Sequence, residues 1–186
     1  MPYYYNWSGF YVGLNVGYGT GTSDWTFPVA TLSPKGMSYG ATLGYNWQAG
    51  ALVYGIETDY NASNVNGSAT CSLVLTCETS NTWFATFRGR IGYAFDRFLP
   101  YLTAGGAYGN IKATVNPLAL NASENKFGYT FGAGLEYAFL GSWTAKLEYL
   151  YVDLGSFDAS FAPPVVSNVS FKENVIRLGI NYKFSR

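Results

Sequence analysis

Residues 9–19 read GFYVGLNVGYG. Phe10, Val12, Leu14, Val16 and Tyr18 fall on one parity, and Tyr11, Gly13, Asn15 and Gly17 on the other. A period of two over this length specifies a β-strand, because successive side chains leave a strand on opposite faces. It does not say which face is wet. A soluble barrel turns its apolar parity inward, whereas a membrane barrel turns it outward to lipid.

The alternation recurs along the chain. Strands are predicted over about 9–19, 37–47, 52–60, 82–93, 100–109, 126–137, 143–153 and 173–184. In the seventh, Trp143, Ala145, Leu147, Tyr149 and Tyr151 oppose Lys146 and Glu148; in the eighth, Ile176, Leu178, Ile180, Tyr182 and Phe184 oppose Arg177 and Lys183. YLTAGGAYG (101–109) has small residues on both parities, so its inward face is ambiguous. The connections alternate in length: 20–35, 61–81, 110–124 and 154–172 are long and polar, whereas 48–51, 94–100 and 138–142 are short. The only internal periodicity read here is the strand–turn–strand unit. An even number of strands joined alternately by short and long connections is the pattern of an up-and-down membrane barrel.

The composition of the two faces decides the opening question. The polar parity holds mostly Gly, Ser, Thr and Asn with a few charges of both signs, which suits the narrow interior of an eight-stranded barrel. A water-facing surface would carry many Lys and Glu, yet charged residues make up only 12 % of the chain, against ~25 % in ordinary soluble domains. The apolar parity is large and aromatic near the strand ends. Trp47, Tyr60, Trp83, Tyr93, Tyr137, Trp143, Tyr182 and Phe184 are expected to form aromatic girdles at the membrane interfaces. The expected fold is therefore all-β: one domain over 1–186, an eight-stranded antiparallel transmembrane barrel with four long external loops and three short periplasmic turns.

Lys plus Arg and Asp plus Glu are 11 each and His is absent, which leaves no electrostatic case for nucleic acid. No apolar run is long enough for a transmembrane helix. The Met1-Pro2-Tyr3 start has no basic or apolar leader region, so Met1 reads as the start of a mature chain. Cys71 and Cys77 lie in TCSLVLTCE within the second long connection. A disulfide closing a short loop is the simplest reading and implies an oxidising compartment; two free thiols are the alternative.

YNWSGFYVGLNVGYG, WFATFRGRIGYAFDRFLPYLTAGGAYG, GLEYAFLGSWTAKLEYLYVDLG and NVIRLGINYKF together resemble the small alphaproteobacterial outer-membrane proteins. These are the porin-family or outer-membrane immunogenic proteins, with an OmpA-like eight-stranded barrel. The resemblance implies a bacterial outer-membrane location, outer-membrane lipid and lipopolysaccharide as surroundings, and handling by the barrel-assembly machinery. Family members typically end on the aromatic residue of the last strand; here Ser185 and Arg186 follow Phe184.

Three function classes follow. The first is a non-catalytic, surface-exposed structural barrel, with Glu57, Asp59, Arg88, Arg90, Glu136, Lys146, Glu148, Arg177 and Lys183 as a charge network plugging the lumen and Arg88 and Arg90 against Glu57 and Asp59 as its main cluster. The same residues could instead line a small-solute or ion path. The second class is a surface receptor for a ligand such as haem, which the family resemblance raises; without His, and with Met only at 1 and 37, Tyr would have to ligate the iron. The third, an enzyme, lacks a GxSxG motif and any Ser–His pair. The first class is expected, without cofactor or metal, as a monomer, with an oligomer as the alternative.

Overall fold

The computed structural model describes residues 5–26, 29–72, 75–116, 120–162 and 165–184. Its strands are β1 (Gly9–Thr26), β2 (Val29–Leu32), β3 (Lys35–Ala49), β4 (Leu52–Ser72), β5 (Leu75–Tyr93), β6 (Phe98–Asn116), β7 (Leu120–Leu140), β8 (Trp143–Ala162) and β9 (Val165–Lys183). β1 and β3 to β9 pair antiparallel in chain order, and β9 returns to pair with β1. The eight-stranded sheet is thus a closed barrel. Closure leaves no unpaired edge, the condition for placing β-structure in hydrocarbon. β2 continues β3 along the same edge of β1 beyond Ser33 and Pro34, pairing Val29–Leu32 with Ser23–Thr26 in the register that β3 begins.

Glycine sets two of the three short turns. Gly50 and Gly141 take φ values of +64° and +47°, which cost little only without a Cβ. In the third turn Asp96 takes φ +53°, a conformation Asp tolerates better than most residues.

The strands extend farther than the alternation predicts. β4 continues to Ser72 and β5 begins at Leu75, so most of the expected loop 61–81 is paired backbone. The other long connections are likewise largely strand. Above the outer aromatic row the outward face leaves lipid for water, while inward side chains such as Ser63, Val65 and Ile111 stay buried. Ser, Thr and Asn then occupy both parities, and the alternation fades while backbone pairing persists. Register shifts at Ala62/Val65 and Asn81/Trp83 mark this boundary. On β5 the shift re-aims the side chains: Asn81 is buried on the parity that carries Trp83, which stacks outside on Tyr60 at 5.7 Å.

The side chains of Cys71 and Cys77 lie outside the described residues. The backbone register pairs Cys77 with Ala69, and Cys71 falls in the irregularity between Thr70 and Ser72. The two positions are not direct cross-strand partners, a relation that reading the segment as an open loop misses.

The apolar parity faces outward: Leu14, Val16, Leu43, Ile56, Phe87, Ile91, Leu102, Leu147, Leu178 and Ile180 are all exposed. Trp47 stacks on Tyr54 at 5.9 Å near the short-turn end, and Trp143 and Tyr182 meet at 5.0 Å. Tyr60, Trp83 and Tyr108 form a second aromatic row toward the long connections. The interior is layered. Trp7, Val53, Leu99 and Ala138 form an apolar floor at the short-turn mouth. Charged residues fill the middle, and Phe84, Ile111, Leu150, Val152, Leu154, Phe171 and Val175 are buried above them.

Candidate functional site

Two rows of residues build the middle layer, each crossing four neighbouring strands. In the first, Tyr11 on β1 lies opposite Gly44 on β3, Gly44 opposite Glu57 on β4, and Glu57 opposite Arg88 on β5. In the second, Tyr101 on β6 lies opposite Gly134 on β7, Gly134 opposite Glu148 on β8, and Glu148 opposite Arg177 on β9. The glycine in each row lets the tyrosine lie flat across it. A Cβ on Gly44 or Gly134 would come within 2.4 Å of the facing ring. The phenols therefore reach the next strand: Tyr11 donates to Glu57 Oε2 at 2.8 Å and Tyr101 to Glu148 Oε1 at 2.7 Å.

The two rows then exchange partners across the lumen. Arg88 pairs with Glu57 in its own row and with Glu148 of the other at 3.2 Å. Arg177 pairs with Glu148 at 2.5 Å and approaches Glu57 at 3.6 Å. Asp59 accepts from both arginines. Lys146 reaches Glu57 at 2.9 Å, and Arg90 joins Glu57 at 3.5 Å to Glu136 at 2.7 Å. Arg90 also sits 4.0 Å from the centre of the Tyr101 ring, a cation–π contact. Thr86 donates to Asp59, while Thr144 and Asn181 donate to Glu136. Four carboxylates thus meet four cations, and each of the eight side chains is buried. Burial of charge is costly unless it is paired and hydrogen-bonded, and here every charge has an opposite partner.

Eight of the nine charges singled out from the sequence come together in this way. The ninth, Lys183, does not: its Nζ donates to the backbone oxygen of Asn6 and lies 4.4 Å from the Tyr5 ring centre. The expected core of Arg88 and Arg90 against Glu57 and Asp59 is corrected in two respects. Arg177 takes the place given to Arg90 beside Asp59, and Glu148 joins the centre. A carboxylate not singled out, Glu173, is 1 % exposed, and its Oε1 has no hydrogen-bond partner. Among the described residues no cluster of three or more His, Cys, Asp or Glu is placed to hold a metal ion.

Tyr11 and Tyr101 were not among the charged candidates, but a sequence signal for them exists. Tyr11 and Tyr101, Gly44 and Gly134, Glu57 and Glu148, and Arg88 and Arg177 stand 90, 90, 91 and 89 residues apart. FRGRIGY (87–93) and IRLGINY (176–182) align at the same offset. The chain therefore carries a four-strand repeat in addition to the strand–turn–strand unit. Asp59, Arg90, Glu136 and Lys146 break it, their counterparts being Leu150, Gly179, Asn46 and Gly55.

A sequence profile of the outer membrane protein beta-barrel domain matches residues 3–184. The chain is 37 % identical to the 31 kDa outer-membrane immunogenic protein of Brucella melitensis biotype 1, over 97 % of this chain and 85 % of that one. It is 35 % identical to the 22 kDa outer membrane protein of Rhizobium leguminosarum bv. viciae, over 96 % and 79 %. Among solved structures, the outer membrane protein OprG from Pseudomonas aeruginosa superposes with a TM-score of 0.65 at 15 % identity, covering 96 % of this chain and 97 % of that one.

Proposed function

Because this chain belongs to the outer membrane protein beta-barrel family, we propose that it is a non-catalytic, surface-exposed structural barrel whose lumen is locked by the charge network. The observation carrying this reading is the exchange of Arg88 and Arg177 between Glu57 and Glu148, which ties opposite walls together through buried contacts. An ion crossing the barrel would have to part these pairs. An eight-stranded barrel has room for side chains and little else. The relatives' description as immunogenic supports surface exposure of the long-connection end. On this reading the surroundings are outer-membrane lipid and lipopolysaccharide, the protein is a monomer, and the barrel-assembly machinery inserts it.

Reconstitution into planar bilayers with conductance recording tests the lock. The expected result is a silent wild type, with small conductance events appearing in Arg88→Ala or Arg177→Ala. Steady wild-type conductance that neither substitution changes would overturn the reading in favour of a pore.

A further inference from the structure

The network lies at mid-height, and residues 5–8, which precede β1, lie at the short-turn mouth. Trp7 is 1 % exposed and packs on Val53 of β4, Leu99 of β6 and Ala138 of β7. Its backbone N–H donates to Gln48 Oε1 at 2.6 Å, and its indole N–H donates to the Asp96 carbonyl at 3.0 Å. On either side, Tyr5 N–H donates to Asp96 Oδ1, Gln48 N–H donates to Ser8 Oγ, and Lys183 donates to the Asn6 carbonyl. The partners come from the end of β3, the β5–β6 turn and the end of β9, so the segment is fastened at points around the rim. Burial pushes the Tyr5 phenol up to about 12, with the Glu136 charge adding to the effect, in keeping with a ring turned into the mouth.

We propose that residues 5–8 form a releasable stopper at the periplasmic mouth, separate from the ionic lock, with Trp7 as the plug and Gln48, Asp96 and Lys183 as its fastenings. The segment is held by side-chain contacts and a few hydrogen bonds, whereas each barrel strand is held by two ladders. It can leave while the barrel stays paired. Its departure opens a blind cup that ends at the network. The wall of that cup presents Glu136 and the amide oxygens of Asn46 and Asn181, neither of which has a hydrogen-bond partner while the stopper is seated.

The test uses the full chain with Cys71→Ser and Cys77→Ser, folded in detergent, and a charged maleimide as probe. Ala138→Cys places a thiol beneath Trp7, and Ala107→Cys places one in the lumen above the network. Both native positions are 1 % exposed. With the stopper intact, neither thiol should react appreciably. Adding Trp7→Ala should speed labelling at 138 by about a hundredfold, as expected from loss of a buried aromatic anchor, and leave 107 unchanged. Gln48→Ala, which leaves the barrel ladders untouched, should give about tenfold at 138 and serves where Trp7→Ala fails to fold. Fast labelling at 138 with Trp7 in place, or no acceleration by either substitution, would overturn the stopper. Equal acceleration at 107 would also overturn it, because the change would then be a loosening of the whole barrel.

Discussion

Tyr101 donates its phenolic proton to Glu148 across Gly134, the residue on the strand between them. The hydrogen bond depends on the missing side chain, since a Cβ on Gly134 would meet the Tyr101 ring at 2.4 Å. Gly134→Ala should therefore destabilise the barrel by about 1–3 kcal/mol, the usual cost of overpacking. Gly89→Ala is the control, because its Cβ would meet only the Ala104 carbonyl, at 3.9 Å. Urea unfolding in lipid vesicles should separate the two; equal stability would mean that the tyrosine moves aside freely.

Glu57 collects Arg88, Arg90, Arg177 and Lys146. Glu57→Gln should cost about 3–5 kcal/mol, the range for stranding a buried charge. Lys183→Met, outside the network, should cost far less. The midpoint of heat modifiability on a denaturing gel reads both; a similar midpoint for the two variants would remove Glu57 from the centre.

Glu148 and Arg177 face each other in register. Each substitution alone, Glu148→Leu or Arg177→Met, leaves an unbalanced partner. Made together they should cost less than the sum of the two, by about 0.5–3 kcal/mol. A double-mutant cycle in the same unfolding assay measures this difference, and strict additivity would show that the pair is not coupled.

Glu173 is the converse case, a buried carboxyl outside the network whose Oε1 has no hydrogen-bond partner. Glu173→Leu should raise stability by about 1–3 kcal/mol, the desolvation cost of an unsatisfied polar group. A loss of stability would show that the carboxyl is held by something useful to the fold.

How much of this was legible in the sequence varied with height in the barrel. In the middle band lipid lies on one side and a narrow interior on the other. Alternation is therefore strict, and the inward charges from Glu57 to Arg177 could be picked out by parity. Above Tyr60 and Trp83 the outward face meets water, polar residues enter both parities and bulges shift the register, so the paired backbone of β4 and β5 read as loop. Tyr101 was hidden for another reason. Ala104, Gly105, Gly106 and Ala107 around it give neither parity a polarity, and only the offset from Tyr11 marks it. Lys183 has the right parity but sits one turn of the pleat too low, where the nearest acceptor is the backbone of Asn6. Parity gives the face a side chain takes; it does not give the height at which its partner waits.

That difference bears on how the cylinder can close. When β9 meets β1, a slip by one residue turns every side chain to the wrong face and is rejected by lipid and lumen alike. A slip by two is harder to detect from outside, because Ile176, Leu178 and Ile180 offer the membrane nearly the same surface in either position. Arg177 can tell the difference. It stands opposite Gly17 across the seam and finds Asp59 and Glu148, on either side of that seam, at one height only. The polar centre thereby acts as a gauge of shear, admitting the one even-numbered alignment in which no charge is stranded.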